Sequence, residues 1–199
     1  MPTLGKLIVI AGTPGTGKST VTRLLSEKCS VRVINLSELA LEKGFILTYD
    51  QDRKTYVVDE DKLVNYLRSL ASETSGIVVN THYPEIIPPD LVDKVFILRA
   101  HPLILEKRLS SRNWDRRKIN ENVLAEIIGV VASNAASAFG EHRVYEIDTS
   151  YSSPDEVADL ICMVLKGKKA LEPGVKIDWL SIMEPSEVLK FEDYLGSQN

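Results

Sequence analysis

The sequence predicts a three-layer α/β domain in which a five-stranded parallel sheet carries helices on both faces. Short apolar runs alternate along the chain with segments of helical periodicity, a pattern typical of parallel strands joined by crossover helices. A glycine-rich turn follows the first apolar run directly. With 199 residues, of which 44% are hydrophobic and 26% charged, the chain has the size and composition of one ordinary globular domain.

Five short segments rich in apolar residues are predicted as strands, and the first is a continuous apolar run, which suits a strand buried on both faces of a parallel sheet. The segments are residues 7–11, 31–34, 76–79, 94–98 and 143–147. Polar residues follow the third and the fourth segment, at the carboxyl edge of the sheet, where α/β proteins bind their ligands.

Six segments carry apolar residues at helical spacing and predict helices. They are residues 19–28, 37–43, 59–72, 103–109, 120–138 and 154–165. The last one starts with a capping box at Ser153 and a proline at the first helical position, Pro154. We predict an irregular, polar stretch between the second and the third helix.

From Gly167 onward the pattern changes, and we divide the chain there into a domain (1–166) and a C-terminal extension (167–199). Within the extension, residues 177–183 contain five large apolar side chains in seven positions. Such a density predicts that this part packs on the domain or on a partner. A last helix is predicted for residues 186–195.

Composition excludes several classes of protein. No apolar run approaches the roughly 20 residues of a membrane span, and the N-terminus lacks a secretory signal, so we expect a soluble, cytoplasmic protein, or a nuclear one in a eukaryote.

Cys29 and Cys162 lie far apart in sequence without a metal-ligand pattern, so we expect free thiols. The net charge of −4 argues against general capture of nucleic acid. Direct RNA contact is left open only for a basic cluster in residues 107–118.

Residues 12–19, GTPGTGKS, match the pattern GxxxxGK[ST] between a predicted strand and a predicted helix, which is the context of a phosphate-binding P-loop. Its backbone N–H groups and the helix N-terminus point at phosphate oxygens. Lys18 neutralises the β and γ phosphates, and the Ser19 hydroxyl is a ligand for Mg²⁺. The residues predicted to bind ATP are Gly12, Gly15, Thr16, Gly17, Lys18, Ser19 and Thr20.

A P-loop is shared by GTPases, motor ATPases and small-molecule kinases. The chain is short and has no NKxD guanine motif, so small kinases are favoured. The remaining sequence resembles the adenylate kinase isoenzyme 6 family, atypical adenylate kinases that also act in maturation of the small ribosomal subunit. The resemblance covers residues 7 to about 165 and rests on stretches 12–20 (GTPGTGKST), 49–61, 80–82 (NTH) and 108–122, which begins RLSSRNW.

This resemblance implies an insert that binds a nucleoside monophosphate (NMP), at about 35–58, and a short lid at about 111–121. It implies that Arg108 at the base of the lid and Arg112 within it close on ATP. Arg116, Arg117 and Lys118 either reach the same phosphates or form a solvated basic face. His82 is implied to lie near the γ-phosphate, where a neutral imidazole orients water; a purely structural histidine is the alternative. The predicted catalytic residues are therefore Lys18, His82, Arg108 and Arg112.

Three positions depart from the family pattern, and one of them is Ser153, where the family carries a lysine beside the adenine and this chain has the serine that caps a predicted helix. Asn80 replaces the Walker B acid, so Mg²⁺ should depend on Ser19 and on phosphate oxygens, with Asp50 or Asp52 nearby. Leu41 replaces an arginine expected beside the acceptor phosphate. Candidates to replace that arginine are Arg53, Lys54 and Arg99.

Two functions follow from these observations and from the resemblance. The first is a kinase that transfers phosphate from MgATP to AMP or a related monophosphate. The second is mainly an ATPase switch, an assembly factor that binds a small-subunit ribosomal protein. A shikimate or dephospho-coenzyme A kinase is a third possibility, against which the triplet at 80–82 argues.

Overall fold

A five-stranded parallel sheet forms the centre of the computed structural model, which describes residues 7–51 and 55–192. In chain order its strands are β1 (Leu7–Ala11), β2 (Arg32–Asn35), β5 (Ile77–Asn80), β6 (Val92–Arg99) and β7 (Val144–Asp148). They lie side by side in the order β2-β5-β1-β6-β7. A separate antiparallel pair is formed by β3 (Ile46–Asp50) and β4 (Thr55–Val58). The predicted fold class, with its five parallel strands, is confirmed.

Helices cover both faces of this sheet. They are α1 (Lys18–Cys29), α2 (Leu36–Glu42), α3 (Glu60–Glu73), α4 (Pro102–Ser110), α5 (Arg116–Ile127), α6 (Val130–Phe139), α7 (Pro154–Leu165) and α8 (Pro185–Leu189). Apolar side chains of α3 and α6 pack on one face of the sheet, and those of α1 and α7 on the other. Strand β1 contributes to both layers: Val9 faces the first and Ile10 the second, and both are fully buried. Burial on both faces explains why the central strands β1 and β5 appear in the sequence as apolar runs.

The helix predicted over residues 120–138 is wrong in two respects. The segment forms two helices, α5 and α6, which are separated at Gly129, where φ is 68°. Glycine adopts this left-handed conformation readily, so it interrupts a sequence that otherwise favours helix. Helix α5 also begins earlier, at Arg116, because the Asp115 side chain caps it by accepting the backbone N–H of Lys118 at 2.9 Å.

The stretch predicted to be irregular is also different in the structure, since part of it forms the β3–β4 pair. Tyr49 and Tyr56 lie opposite each other, with ring centroids 5.0 Å apart. Threonine, tyrosine and valine favour strands, and a cross-strand aromatic pair stabilises them further. The polar sequence between the two tyrosines, residues 50–55 (DQDRKT), hid the strand pattern.

Part of the C-terminal extension packs against α4 and α5. Trp179, Met183 and Phe191 are buried in an apolar cluster that includes Leu105 and Val123. The predicted last helix, 186–195, is shorter in the structure, where α8 ends at Leu189. Residues 193–195 of that prediction lie outside the described residues.

Cys29 and Cys162 form a disulfide between the end of α1 and helix α7, with Cα atoms 6.1 Å apart, a separation that disulfides adopt. The expectation of free thiols was therefore wrong, because the fold brings together two positions that are 133 residues apart.

Across residues 7–51 and 55–192, no single helix is long and apolar enough to cross a membrane; the bent pair α5 and α6 meets that test, by length and composition only.

Candidate active site

A cleft of about 330 Å³ opens at the carboxyl edge of the sheet. Strands β1, β5 and β2 are neighbours, so the residues that follow them meet at this edge. The cleft is lined by the phosphate loop and start of α1 (Pro14, Gly15, Gly17, Lys18, Ser19, Thr20), by Asn35 and α2 (Ser37, Glu38, Leu41), by the end of β5 (Asn80, Thr81, His82), and by Arg112.

The phosphate loop has the backbone geometry that the motif requires. Gly12 has φ of 145°, and a Cβ there would overlap the carbonyl oxygen of Leu98. Gly17 has φ of 100° and is the N-cap residue of α1, where no side chain accepts a hydrogen bond from the helix. A Cβ at Gly17 would have no atom within 4 Å. The first turn of α1 contains no acidic residue. Its N–H groups and the positive end of the helix dipole are therefore free to meet an anion in the cleft.

The other predicted loop residues support this geometry from behind. The Thr16 hydroxyl donates to the carbonyl oxygen of Thr13 at 2.9 Å, and the Thr16 carbonyl oxygen accepts the Thr149 hydroxyl at 3.0 Å. Thr16 and Gly12 are buried and do not line the cleft, whereas Ser19 and Thr20 are exposed at its wall. The structure thus divides the predicted loop residues into a lining set and a supporting set.

Lys18 folds back onto its own loop. Its ammonium group donates to the carbonyl oxygens of Gly12 at 2.6 Å and of Thr13 at 3.1 Å. Burial lowers the pKa of Lys18 to about 7; the carboxylate of Glu126 opposes this shift and the charge of Arg112 adds to it. Phosphate oxygens in the cleft would attract the ammonium group of Lys18 and raise its pKa, so that it would stay protonated.

Ser19 and Asn80 face each other where a magnesium ion would be held. The Asn80 amide nitrogen lies 3.5 Å from the Ser19 hydroxyl oxygen, and rotation of the amide would present the carbonyl oxygen instead. Described residues hold no cluster of three or more His, Cys, Asp or Glu side chains suited to a metal. Magnesium beside a nucleotide needs few protein ligands, because phosphates and water supply the others, so this neutral pair fits it. Asp50 lies at the end of β3, and Asp52 is outside the described residues.

His82 lies in the cleft just beyond β5, beside Asn80 and Thr81. Burial lowers its pKa to about 4, and the charge of Lys18 adds to the shift. The imidazole is therefore neutral at pH 7. Its ring packs on the ring of Tyr83, with centroids 4.0 Å apart. A neutral histidine among phosphate-binding groups is suited to orient a hydroxyl or a water molecule.

The basic residues of the lid region separate in the structure. Among them Arg112 lines the cleft. Arg108 turns to the loop after β7, where it donates to the Thr149 carbonyl oxygen at 2.7 Å, and burial lowers its pKa. Arg116 pairs with Glu106 at 2.5 Å.

Lys118 lies over the ring of Trp114, with its ammonium nitrogen 4.5 Å from the centroid. These contacts hold Arg116 and Lys118 on neighbouring protein groups rather than on the cleft wall.

Arg99, a proposed substitute for the missing arginine, does not face the cleft. Its guanidinium group is 1% exposed and pairs with Glu126 at 2.7 Å and with Glu146. The interpretation of Arg99 as a ligand of the acceptor phosphate was therefore wrong. Arg99 ends the buried strand β6, and its guanidinium group faces the interior of the protein instead of the cleft. Arg53 and Lys54 lie outside the described residues.

Glu126 is a residue near the site that the sequence analysis missed. Its carboxylate accepts the hydroxyl of Thr13, inside the phosphate loop, at 2.6 Å, and both residues are 1% exposed. The only available signal was its position on α5 between Val123 and Ile127, on the buried side of the helix.

The chain is similar in sequence and in fold to several known proteins. Residues 8–129, more than half of the chain, match the family model described as "AAA domain". A protein of Sulfurisphaera tokodaii named "Putative adenylate kinase" is 35% identical over 183 residues, which is 92% of this chain and 90% of that protein. A protein of Methanococcus maripaludis with the same name is 37% identical over 179 residues, or 87% and 95% of the two chains.

Among solved structures, shikimate kinase from Acinetobacter baumannii in complex with shikimate superposes with a TM-score of 0.57. The two chains are 16% identical, and the match covers 84% of this chain and 96% of that one, so the likeness concerns the fold alone. The fold and the phosphate loop together define the class: this is a P-loop enzyme with the fold of small kinases. The chain belongs to the family of the archaeal proteins that carry the name "Putative adenylate kinase".

Proposed function

We propose that this protein is a nucleoside monophosphate kinase, which transfers the γ-phosphoryl group of MgATP to AMP or a related monophosphate. The observation that carries the proposal is the single cleft in which the phosphate loop faces α2. ATP phosphates on the loop and an acceptor beside α2 would then lie in the same cleft, close enough for the phosphoryl group to pass between them. The name of the relatives supports the same activity.

The chain's own groups supply positions and charge for this reaction. The N–H groups of the loop hold the β and γ phosphates, and Lys18 and Arg112 bring positive charge to the equatorial oxygens. Arg108 stays at the base of the lid, on the Thr149 carbonyl. A magnesium ion on Ser19 would neutralise phosphate charge. Neutral His82 would orient the attacking hydroxyl or water.

A second candidate is an ATPase switch, and one observation favours it. The acceptor side of the cleft is formed by Asn35, Ser37, Glu38 and Leu41, and none of these described residues is a cation. The Leu41 side chain is half exposed there. Within the described part of the chain, an acceptor phosphate would find no cation on that side, which favours hydrolysis. The resemblance to the isoenzyme 6 family adds a small-subunit ribosomal protein as the partner of such a switch.

Assays of ADP formation decide between these functions. ATP turnover is measured alone and with AMP, CMP, UMP or GMP. Stimulation by one monophosphate, with the matching diphosphate as product, supports the kinase. Equal rates in all five reactions support the ATPase. Absence of both ATP binding and turnover in folded protein would contradict both.

An arginine at position 41 is expected to strengthen acceptor binding. In Leu41→Arg the KM for AMP should fall by about 10-fold, because a charge-assisted hydrogen bond to the phosphate would replace an apolar contact. Steady-state kinetics with varied AMP measure this change. Leu189→Arg is the matched control, since that leucine is 57% exposed on helix α8, does not line the cleft, and gains the same charge. An equal fall of KM in both variants would reveal only general electrostatic attraction.

Loss of the lid arginine should reduce turnover more than ATP affinity. In Arg112→Ala we expect kcat to fall by about 10-fold while the Kd for ATP changes less, because the charge acts mainly on the transferring phosphoryl group. Rapid-mix turnover and equilibrium titration give the two quantities. Arg23→Ala removes the same charge from an exposed pair with Glu27 and serves as the control. If affinity falls and kcat does not, Arg112 binds the ground state and the transition state equally.

A further inference from the structure

A continuous series of buried hydrogen bonds joins the phosphate loop to the C-terminal extension. The Thr13 hydroxyl donates to Glu126 Oε2 at 2.6 Å. The other oxygen of that carboxylate, Oε1, accepts Arg99 Nε at 2.7 Å, the Ala100 N–H at 3.1 Å and the indole N–H of Trp179 at 3.1 Å. We call this set the Glu126 network. Each of its side chains is at most 5% exposed.

Arg99 holds the extension to the same network. Its guanidinium group pairs with Glu146 and donates to the Ile177 carbonyl oxygen at 3.3 Å. Glu146 in turn accepts the backbone N–H groups of Lys176 at 2.5 Å and Ile177 at 2.7 Å. Residues 176–179 are therefore fixed through both backbone and side chain, and the indole of Trp179 reaches the carboxylate that holds the phosphate loop.

On the side of the ATP site, the network ends at the atoms that hold Lys18. Glu126 fixes the side chain of Thr13, and the Thr13 carbonyl oxygen accepts both the Thr16 hydroxyl at 2.9 Å and the Lys18 ammonium group at 3.1 Å. A displaced carboxylate would release Thr13 and change the loop that cradles the phosphates. Electrostatics link the same groups: Arg99 lies between the carboxylates of Glu126 and Glu146, and the charge of Glu126 raises the pKa of Lys18 against the effect of burial.

We propose that Glu126 is a positioning residue for the phosphate loop, and that Trp179 of the C-terminal extension keeps its carboxylate in the required orientation. The extension is thereby part of the ATP site's support. Buried polar groups in such a network depend on one another, since each unmet donor or acceptor is costly where water is excluded. This inference rests on the proposed function in that the phosphate loop is taken to bind ATP.

The replacement Trp179→Phe tests it directly, because the apolar ring is retained and the indole N–H is lost. The KM for ATP should rise by about 3- to 10-fold with kcat nearly unchanged, the range that mutations within a coupled network produce. Met183→Ala is the matched control. Met183 is 6% exposed in the same apolar cluster, so its truncation should lower the melting temperature and leave the KM for ATP unchanged.

A double-mutant cycle separates positioning from general stability. Glu126→Gln is expected to raise the KM for ATP by about 10-fold, and adding Trp179→Phe should raise it little further, because both changes act through one carboxylate. If Glu126→Gln fails to fold, Trp179→Phe alone still decides. In that variant, a lower melting temperature with an unchanged KM, as in Met183→Ala, would overturn the proposal and leave the network a structural contact only.

Failure of the proposed function has a different signature. Calorimetric titration of the wild-type protein with MgATP shows whether the site binds ATP at all. Absent binding in folded wild-type protein would refute the ATP site and the positioning role together. Normal wild-type binding, with Trp179→Phe indistinguishable from wild type, would refute the positioning role alone.

Discussion

Replacement of Lys18 by alanine is expected to lower kcat/KM for ATP by about 10²- to 10³-fold, the loss that follows removal of one preorganised charged donor from a reaction centre. The ammonium group lies on the loop carbonyls of Gly12 and Thr13 and has no other bonded partner among the described residues. The buried anchors of α1 are Val21 and Leu25, so the fold should persist. Steady-state kinetics and thermal unfolding measure the two quantities.

The uptake of a proton on ATP binding provides a second measurement that tests the role of Lys18. The pKa of Lys18 is about 7 without nucleotide, and phosphate oxygens would raise it, so ATP binding near pH 8 should take up a proton. ATP affinity should accordingly fall as the pH rises above about 7. Calorimetry in two buffers of different ionisation enthalpy detects the uptake, which Lys18→Ala should abolish.

Lys62→Ala removes an exposed lysine of α3, which pairs with Asp59, and is the charge-matched control. A folded Lys18→Ala variant with wild-type kinetics and proton uptake would contradict the phosphate site.

Sequence periodicity was sufficient for the sheet, because strands buried on both faces leave continuous apolar runs. The predicted run 94–98, for example, lies inside β6 (Val92–Arg99). Periodicity failed where one residue overrides its neighbours, as at Gly129 between α5 and α6. It failed again at β3 (ILTYD) and β4 (TYVV), because both strands are largely exposed and their short apolar runs adjoin a polar segment.

The local part of the candidate site could be predicted, and its long-range part could not. Residues 12–19 form one contiguous motif whose function depends on backbone geometry. Glu126, by contrast, contacts Thr13 across 113 positions and Trp179 across 53. In a sequence it is one acid among 28 acidic residues. Only the fold shows that this carboxylate is buried against the phosphate loop, and the same holds for the contact of Arg108 with the Thr149 carbonyl oxygen.

Replacement of His82 by alanine is expected to lower turnover by about 10²-fold, the usual contribution of a positioned proton-transfer or water-orienting group. ATP affinity should change little, because the loop N–H groups and Lys18 provide the phosphate contacts. The pKa of about 4 means that His82 is neutral through the physiological range. Turnover should therefore rise with pH through about 4 and show no step near 6.5, where an exposed histidine titrates.

The experiment must separate chemistry from packing, since the His82 ring also contacts Tyr83. Turnover, ATP affinity and melting temperature are measured on the same samples of His82→Ala and of His142→Ala, which removes an exposed histidine outside the cleft. A chemical role requires that turnover falls in His82→Ala alone and that the limb near pH 4 disappears with it. If the melting temperature falls while turnover and its pH profile stay as in the wild type, His82 is a packing residue, and the γ-phosphate side of the cleft must rely on Lys18 and Arg112.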